Sequence, residues 1–221
     1  MKRQRCLVLI WVLAVSCVWG TPVPAASSSP RASAPQETQD TIDGWARDNY
    51  DLTLDLVFRD RCAALKDVRW IACVRIVPGY ANEIEYTLSV EKSYGGTILA
   101  HITRPKGQSV YSQLCRRKKE RPHASVGALA RLIKLESQAG DQRRFPGLVS
   151  LADEFEKIRF SPVPPDELMM DATRYRFCIR SFSGDKMEIL LRGPGPTAPG
   201  QPLILIQWAE SVRELLASAF K

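Results

Sequence analysis

The sequence predicts an α+β fold: an antiparallel meander sheet of about five to six strands with helices packed on one face, a two-layer sandwich. Three observations predict it. Segments of period-two hydrophobicity cluster early in the chain and resume at Arg174, with helical-period segments between and after them. No strand–helix–strand alternation of the parallel-sheet kind appears. Each strand-like segment is apolar on one side only, which suits a sheet covered by helices on that side. The 221 residues are 45% hydrophobic and 25% charged, proportions that exclude wholesale disorder, collagen and coiled coil. No apolar run reaches about 18 residues, which argues against a polytopic membrane protein.

Residues 1–25 read as a signal peptide. Lys2, Arg3 and Arg5 form a basic n-region, Leu7 to Trp19 an apolar h-region, and Thr21 to Ala26 supply the small residues of a cleavage site. A second reading competes: Leu13-Ala14-Val15-Ser16-Cys17 resembles a bacterial lipobox, in which Cys17 is lipidated and becomes the mature N-terminus. Both readings imply export to a periplasm, a cell surface or the medium, with no transmembrane helix after cleavage. Residues 26–40 are rich in Ser, Ala and Pro and too poor in apolar area to offset chain entropy, so they read as a flexible linker. Residues 41–221 then form a single α+β domain.

Within the domain, Tyr50 to Leu56 alternates apolar and polar, the period of a half-buried strand. Val68, Trp70, Ala72, Val74 and Ile76 form one face of a second strand, stopped by Pro78-Gly79. Ile84, Tyr86, Leu88 and Val90 alternate with Glu83, Glu85, Thr87, Ser89 and Glu91 in a third. Ser93-Tyr94-Gly95-Gly96 signals a hairpin, returning through Thr97 to Thr103. Helical spacing follows at Val110–Arg117, at Val126, Leu129, Ala130 and Ile133, and at Leu148 to Ile158 after Pro146. Strands resume over Arg174–Phe182, turn at Ser183-Gly184-Asp185, and continue over Lys186–Arg192. The proline-rich stretch Gly193 to Gly200 reads as a surface loop, and Leu205 to Ala219 carries the stripe of a final helix. The sheet face away from the helices is expected to carry Arg69, Arg75, Glu83, Glu85, Glu91, His101, Arg176, Arg180 and Glu188.

Six cysteines reduce to four once Cys6 and Cys17 leave the domain: Cys62, Cys73, Cys115 and Cys178. In an oxidising compartment four cysteines suggest two disulfides, with three connectivities. Strand phase puts Cys73 and Cys178 on matching faces, which would leave Cys62 to Cys115; a local Cys62–Cys73 bridge is equally feasible. No pair has C-x-x-C spacing, which argues against a redox centre or a zinc ribbon. No metal or cofactor is expected.

The familiar enzyme signatures are missing: there is no G-x-S-x-G elbow, H-E-x-x-H, Walker loop or EF-hand loop. Only two histidines exist, and each is followed two positions on by a hydroxyl, in His101-Ile-Thr103 and His123-Ala-Ser125. This pair of H-x-T/S motifs resembles the 2H phosphoesterases, over six residues of the chain. The resemblance implies His101 and His123 as acid and base on a phosphate. Cys115 with His123, and the carboxylates Asp51 and Asp55 or Glu83, Glu85 and Glu91, are further candidates for chemistry. The cluster Arg116, Arg117, Lys118, Lys119 and Arg121 is a candidate contact for an anionic envelope polymer or a protein. Losing Lys2, Arg3 and Arg5 leaves 28 basic against 24 acidic residues, so the net charge falls from +7 to +4. A mildly basic exported domain argues against nucleic acid as partner. The leading expectation is an exported, non-enzymatic binding or interaction domain stabilised by disulfides. A secreted phosphoesterase-like hydrolase and a structural cell-envelope lipoprotein are the alternatives.

Overall fold

A computed structural model describes residues 38–58, 68–80, 83–159, 172–181, 185–193 and 202–220. The expected leader, Cys17, most of the linker, Cys62, the turn at 182–184 and the loop at 194–200 lie outside them. Six strands form one antiparallel sheet in the order β4-β3-β2-β1-β5-β6. They are β1 (Val68–Val77), β2 (Tyr86–Ser93), β3 (Ile98–Pro105), β4 (Leu135–Asp141), β5 (Thr173–Ser181) and β6 (Lys186–Gly193). Among the described residues six α-helices accompany them: α1 (Gln39–Asp48), α2 (Tyr50–Val57), α3 (Val110–Glu120), α4 (Val126–Ala130), α5 (Leu148–Lys157) and α6 (Pro202–Ala217). This is the α+β architecture read from the pattern. The described elements belong to one compact unit, Glu37–Lys221.

β1 is the central strand and pairs with both β2 and β5. Its even-numbered apolar residues, Trp70, Ala72, Val74 and Ile76, meet Leu88 and Val90 of β2 and Tyr175, Phe177 and Ile179 of β5 in the main core. α5 contributes Leu148, Ala152 and Phe155 to that core, and α6 contributes Trp208, Ala209, Val212 and Leu216. Phe155 lies between two indoles, with ring centroids 4.7 Å from Trp70 and 4.6 Å from Trp208. The β2–β3 hairpin closes as its glycines require: Gly96 has φ +79, a backbone conformation that costs glycine nothing, and Ser93 N–H donates to the Thr97 carbonyl at 2.9 Å.

Three elements depart from the sequence reading, the first being α1, a helix over a stretch left unassigned whose residues Gln39 and Asp40 fall in the expected linker. Tyr50–Leu56, expected as a strand, is helix α2, and the unassigned stretch Leu135–Asp141 is edge strand β4. α2 joins Leu54 and Phe58 to Val77, Val110 and Ile133 in a second apolar cluster, while α1, α3 and α4 pack around Ala46, Leu114 and Leu129. α5 and α6 cover the expected face. α2 reaches the other face, where the Asp55 carboxylate and the Phe58 carbonyl accept hydrogen bonds from Arg75.

Glu85 corrects a further expectation. The alternation places it on the sheet face away from α5 and α6 as one of a row of polar side chains, yet it is fully buried. Its carboxylate accepts from Tyr50 Oη and, at 2.8 Å, from Val110 N–H. The negative charge sits against the orphan donors of the first turn of α3. Glu85 therefore ties α2 and α3 to the entrance of β2.

Candidate functional site

The register lines up the residues of the polar face in rows across the sheet. One row runs Glu188, Cys178, Cys73, Ser89, His101, Ala139. The next runs Leu190, Arg176, Arg75, Thr87, Thr103, Ser137. The period of two fixes this: residues two apart on a strand share a face, and partners across a ladder share it too. α2 lies along the face and helps to wall two cavities.

The first cavity, about 360 Å³, is lined by Asp51, Leu54 and Asp55 of α2, Arg75 and Val77 of β1, Arg174 and Arg176 of β5, and Glu188, Ile189 and Leu190 of β6. Its charges are interlocked. Arg174 holds Asp51 in a two-pronged pair at 2.8 and 3.1 Å. Arg75 and Arg176 face each other across the ladder, a like-charge juxtaposition that is unfavourable alone. Asp55 relieves it by pairing with both, through a short contact to Arg75 and at 3.4 Å to Arg176. Glu188 approaches Arg176 at 3.5 Å and also pairs with Lys186, which holds its carboxyl below the usual carboxylate range. Arg176 is the most loosely held of these guanidiniums and is 41% exposed. Beside it Leu190 stands 61% exposed.

The second cavity, about 320 Å³, has a lining without Asp, Glu, Lys or Arg that includes Val57, Phe58, Cys73, Thr87, Ser89, His101, Thr103, Leu135 and Ser137. Thr103 and Ser137 bridge their hydroxyls at 2.8 Å across β3 and β4. His101 is the one imidazole in this lining. His123 lies on the exposed turn between α3 and α4 and does not reach the cavity. Of the two H-x-T/S motifs, this cavity holds the first alone. An acid and a base acting on one phosphate must both come within hydrogen-bond reach of it.

The other sequence candidates are dispersed. Cys115 is not poised as a nucleophile: its thiol donates to Asp43 Oδ1 at 3.5 Å, and burial with that hydrogen bond pushes its pKa up to about 11. The three described cysteines, Cys73, Cys115 and Cys178, are thiols, so the expected disulfides are not formed among them. Asp51 and Asp55 are engaged with arginines. Within the basic cluster, Lys118 is buried; its ammonium donates to the Pro122 carbonyl and lies 4.7 Å from the centre of the Trp45 ring. Arg117 pairs with Glu120 at 2.7 Å. Arg116, Lys119 and Arg121 remain exposed, so the run of five cations presents three to solvent.

Sequence reasoning named Arg75, Arg176 and Glu188 as one face, but missed Arg174, Leu190 and the wall supplied by α2. Among the described residues, no three His, Cys, Asp or Glu side chains gather as metal ligands, and no helix is long and apolar enough to cross a membrane. Comparison with family models, curated proteins and solved structures returns no match, so the reading of this chain rests on its geometry.

Proposed function

We propose that the chain is an exported, non-enzymatic binding module that takes a polypeptide segment on the polar sheet face, between α2 and strands β5 and β6. The observation that carries the reading is the first cavity: loosely paired Arg176 beside exposed Leu190, with Ile189 and Leu54 in the same lining. An aliphatic shelf next to an arginine whose donors are only partly used suits a segment with an apolar side chain for Leu190 and a carboxylate for Arg176. Arginine and buried apolar anchors are what protein interfaces concentrate at their centres. The basic n-region and apolar h-region of residues 1–25 support export.

Site-specific photo-crosslinking in the producing cell tests this. A photoreactive phenylalanine analogue replaces Leu190, or Val149 on the outer side of α5, which is 45% exposed. The expected result is a discrete higher-mass adduct at position 190 that disappears in Arg176→Glu, with none at position 149. No adduct at 190, or identical adducts at both positions, overturns the reading.

A further inference from the structure

The register on the polar face brings two cysteines directly opposite each other. Cys73 of β1 and Cys178 of β5 are partners in the antiparallel ladder. Both are 4% exposed and both belong to one small apolar cluster with Ile71. Directly opposed residues of an antiparallel pair have Cα atoms about 4.5 to 5.5 Å apart. Disulfides span Cα separations of about 4.4 to 6.8 Å. The register thus places the two Cα atoms within the range that a disulfide spans.

We infer that Cys73 and Cys178 form a redox-active cross-strand pair that closes to a disulfide between the two central strands. The structure also separates their roles. Cys73 lines the 320 Å³ cavity of the polar face, whereas Cys178 does not. The oxidant, a protein or small-molecule disulfide, is reached by Cys73. The Cys73 thiolate attacks one sulfur of the oxidant, breaks its S–S bond and releases one thiol, leaving a mixed disulfide. The Cys178 sulfur then attacks the Cys73 sulfur and expels the second thiol. One S–S bond is broken and one formed; the two thiol protons and the electron pair leave on the two released thiols. Cys115 takes no part, because it lies in the separate cluster of α1, α3 and α4 with its thiol bonded to Asp43. This inference is independent of the binding reading.

The test uses the chain as recovered from the cell, reduced, treated with oxidised glutathione, alkylated under denaturing conditions and mapped without reduction. The expected map links the Cys73 peptide to the Cys178 peptide, with Cys115 alkylated. The link persists in Cys62→Ser and Cys115→Ser. In Cys178→Ser a glutathione adduct accumulates on Cys73, while Cys73→Ser gives none on Cys178. A link from Cys62 to either cysteine, or complete alkylation of both after oxidation, overturns the pair. An adduct on Cys178 in Cys73→Ser overturns the order of attack. The wild-type map needs no variant, so a substitution that fails to fold leaves the test decisive.

Discussion

Replacing Glu85 by Gln separates a buried charge from the hydrogen bonds that surround it. Glu85 has no exposed surface, and its carboxylate accepts from Tyr50 Oη and from the Val110 amide. Burial raises its pKa above the usual carboxylate value, while the hydrogen bonds from Tyr50, Val110 and Tyr111 pull the other way without cancelling it. Gln keeps one acceptor for Val110, but its NH₂ must face the Tyr50 hydroxyl, which then has to accept instead of donate. At acid pH the wild-type carboxyl is itself protonated and Gln is nearly its isostere, so the cost there is at most that of one rearranged buried hydrogen bond, about 1 kcal/mol. Truncation to Ala leaves Tyr50 Oη and Val110 N–H without this acceptor and opens a cavity, costing about 3–5 kcal/mol. The pH dependence carries the sharper information. A carboxyl whose folded pKa is raised contributes stability that is present below its unfolded pKa and lost as pH rises through its folded value. The Gln variant lacks that titration, and other carboxylates cancel in the difference. Urea unfolding followed by tryptophan fluorescence between pH 4 and about 8 should therefore show the wild-type advantage over Glu85→Gln narrowing as pH rises. An advantage that widens would mean that the helix N-terminus and Tyr50 outweigh desolvation, and would refute the reasoning.

Two further substitutions probe the main core and the β3–β4 edge. Phe155→Ala removes the ring between Trp70 and Trp208 and should cost about 3–5 kcal/mol, with loss of the near-ultraviolet dichroism of the two indoles; a cost below about 1 kcal/mol would contradict the packing. Gly140→Ala places a methyl 2.6 Å from Phe145 Cε2 and 2.8 Å from Arg144 Cδ. It should destabilise by about 1–3 kcal/mol, read as a lowered Tm, and an unchanged Tm would show that the ring is free to move aside.

The five strands with a buried side were legible because burial writes itself into the sequence at period two. β2 and β3 carry Leu88 to Val90 and Ile98 to Ile102 at that period, facing α5 and α6, whereas β1 is buried on both faces from Trp70 to Val77 and sends only its even-numbered residues to that core. β4 carried no such signal. Leu135-Glu-Ser-Gln-Ala-Gly-Asp141 lies at the sheet edge, partly or wholly exposed at every residue. What makes it a strand is pairing with β3, helped by the Thr103–Ser137 hydroxyl bridge and the Arg104–Glu136 ion pair at 2.6 Å. None of that leaves a local pattern. Glu85 was hidden for a similar reason: its alternation with Ile84 and Tyr86 reads as a solvated face, while its burial depends on Tyr50 and α3, distant in sequence.

The misreading of α2 shows why half of the candidate site was out of reach. In Tyr50-Asp-Leu-Thr-Leu-Asp-Leu56 the acidic residues fall at i and i+4, which fits a helix face as well as two turns of strand alternation. As a helix, the segment rises about 6 Å between Asp51 and Asp55. Arg174 and Arg176, two apart on one face of β5, are separated by about 6.6 Å. The two spacings match, so Asp51 meets Arg174 while Asp55 meets Arg176. Had the segment been a strand, the two carboxylates would have been about 13 Å apart and could not both have served arginines two residues apart. Asp55 also neutralises Arg75, the cross-strand partner of Arg176, so one helical carboxylate makes a like-charge pair tolerable in the sheet. The complementarity is between elements whose partners lie more than a hundred residues apart, and a single sequence records each half without recording that they meet. The same docking leaves Arg176 held only at 3.4 and 3.5 Å and Leu190 exposed, because one helical carboxylate is divided between two arginines of the sheet.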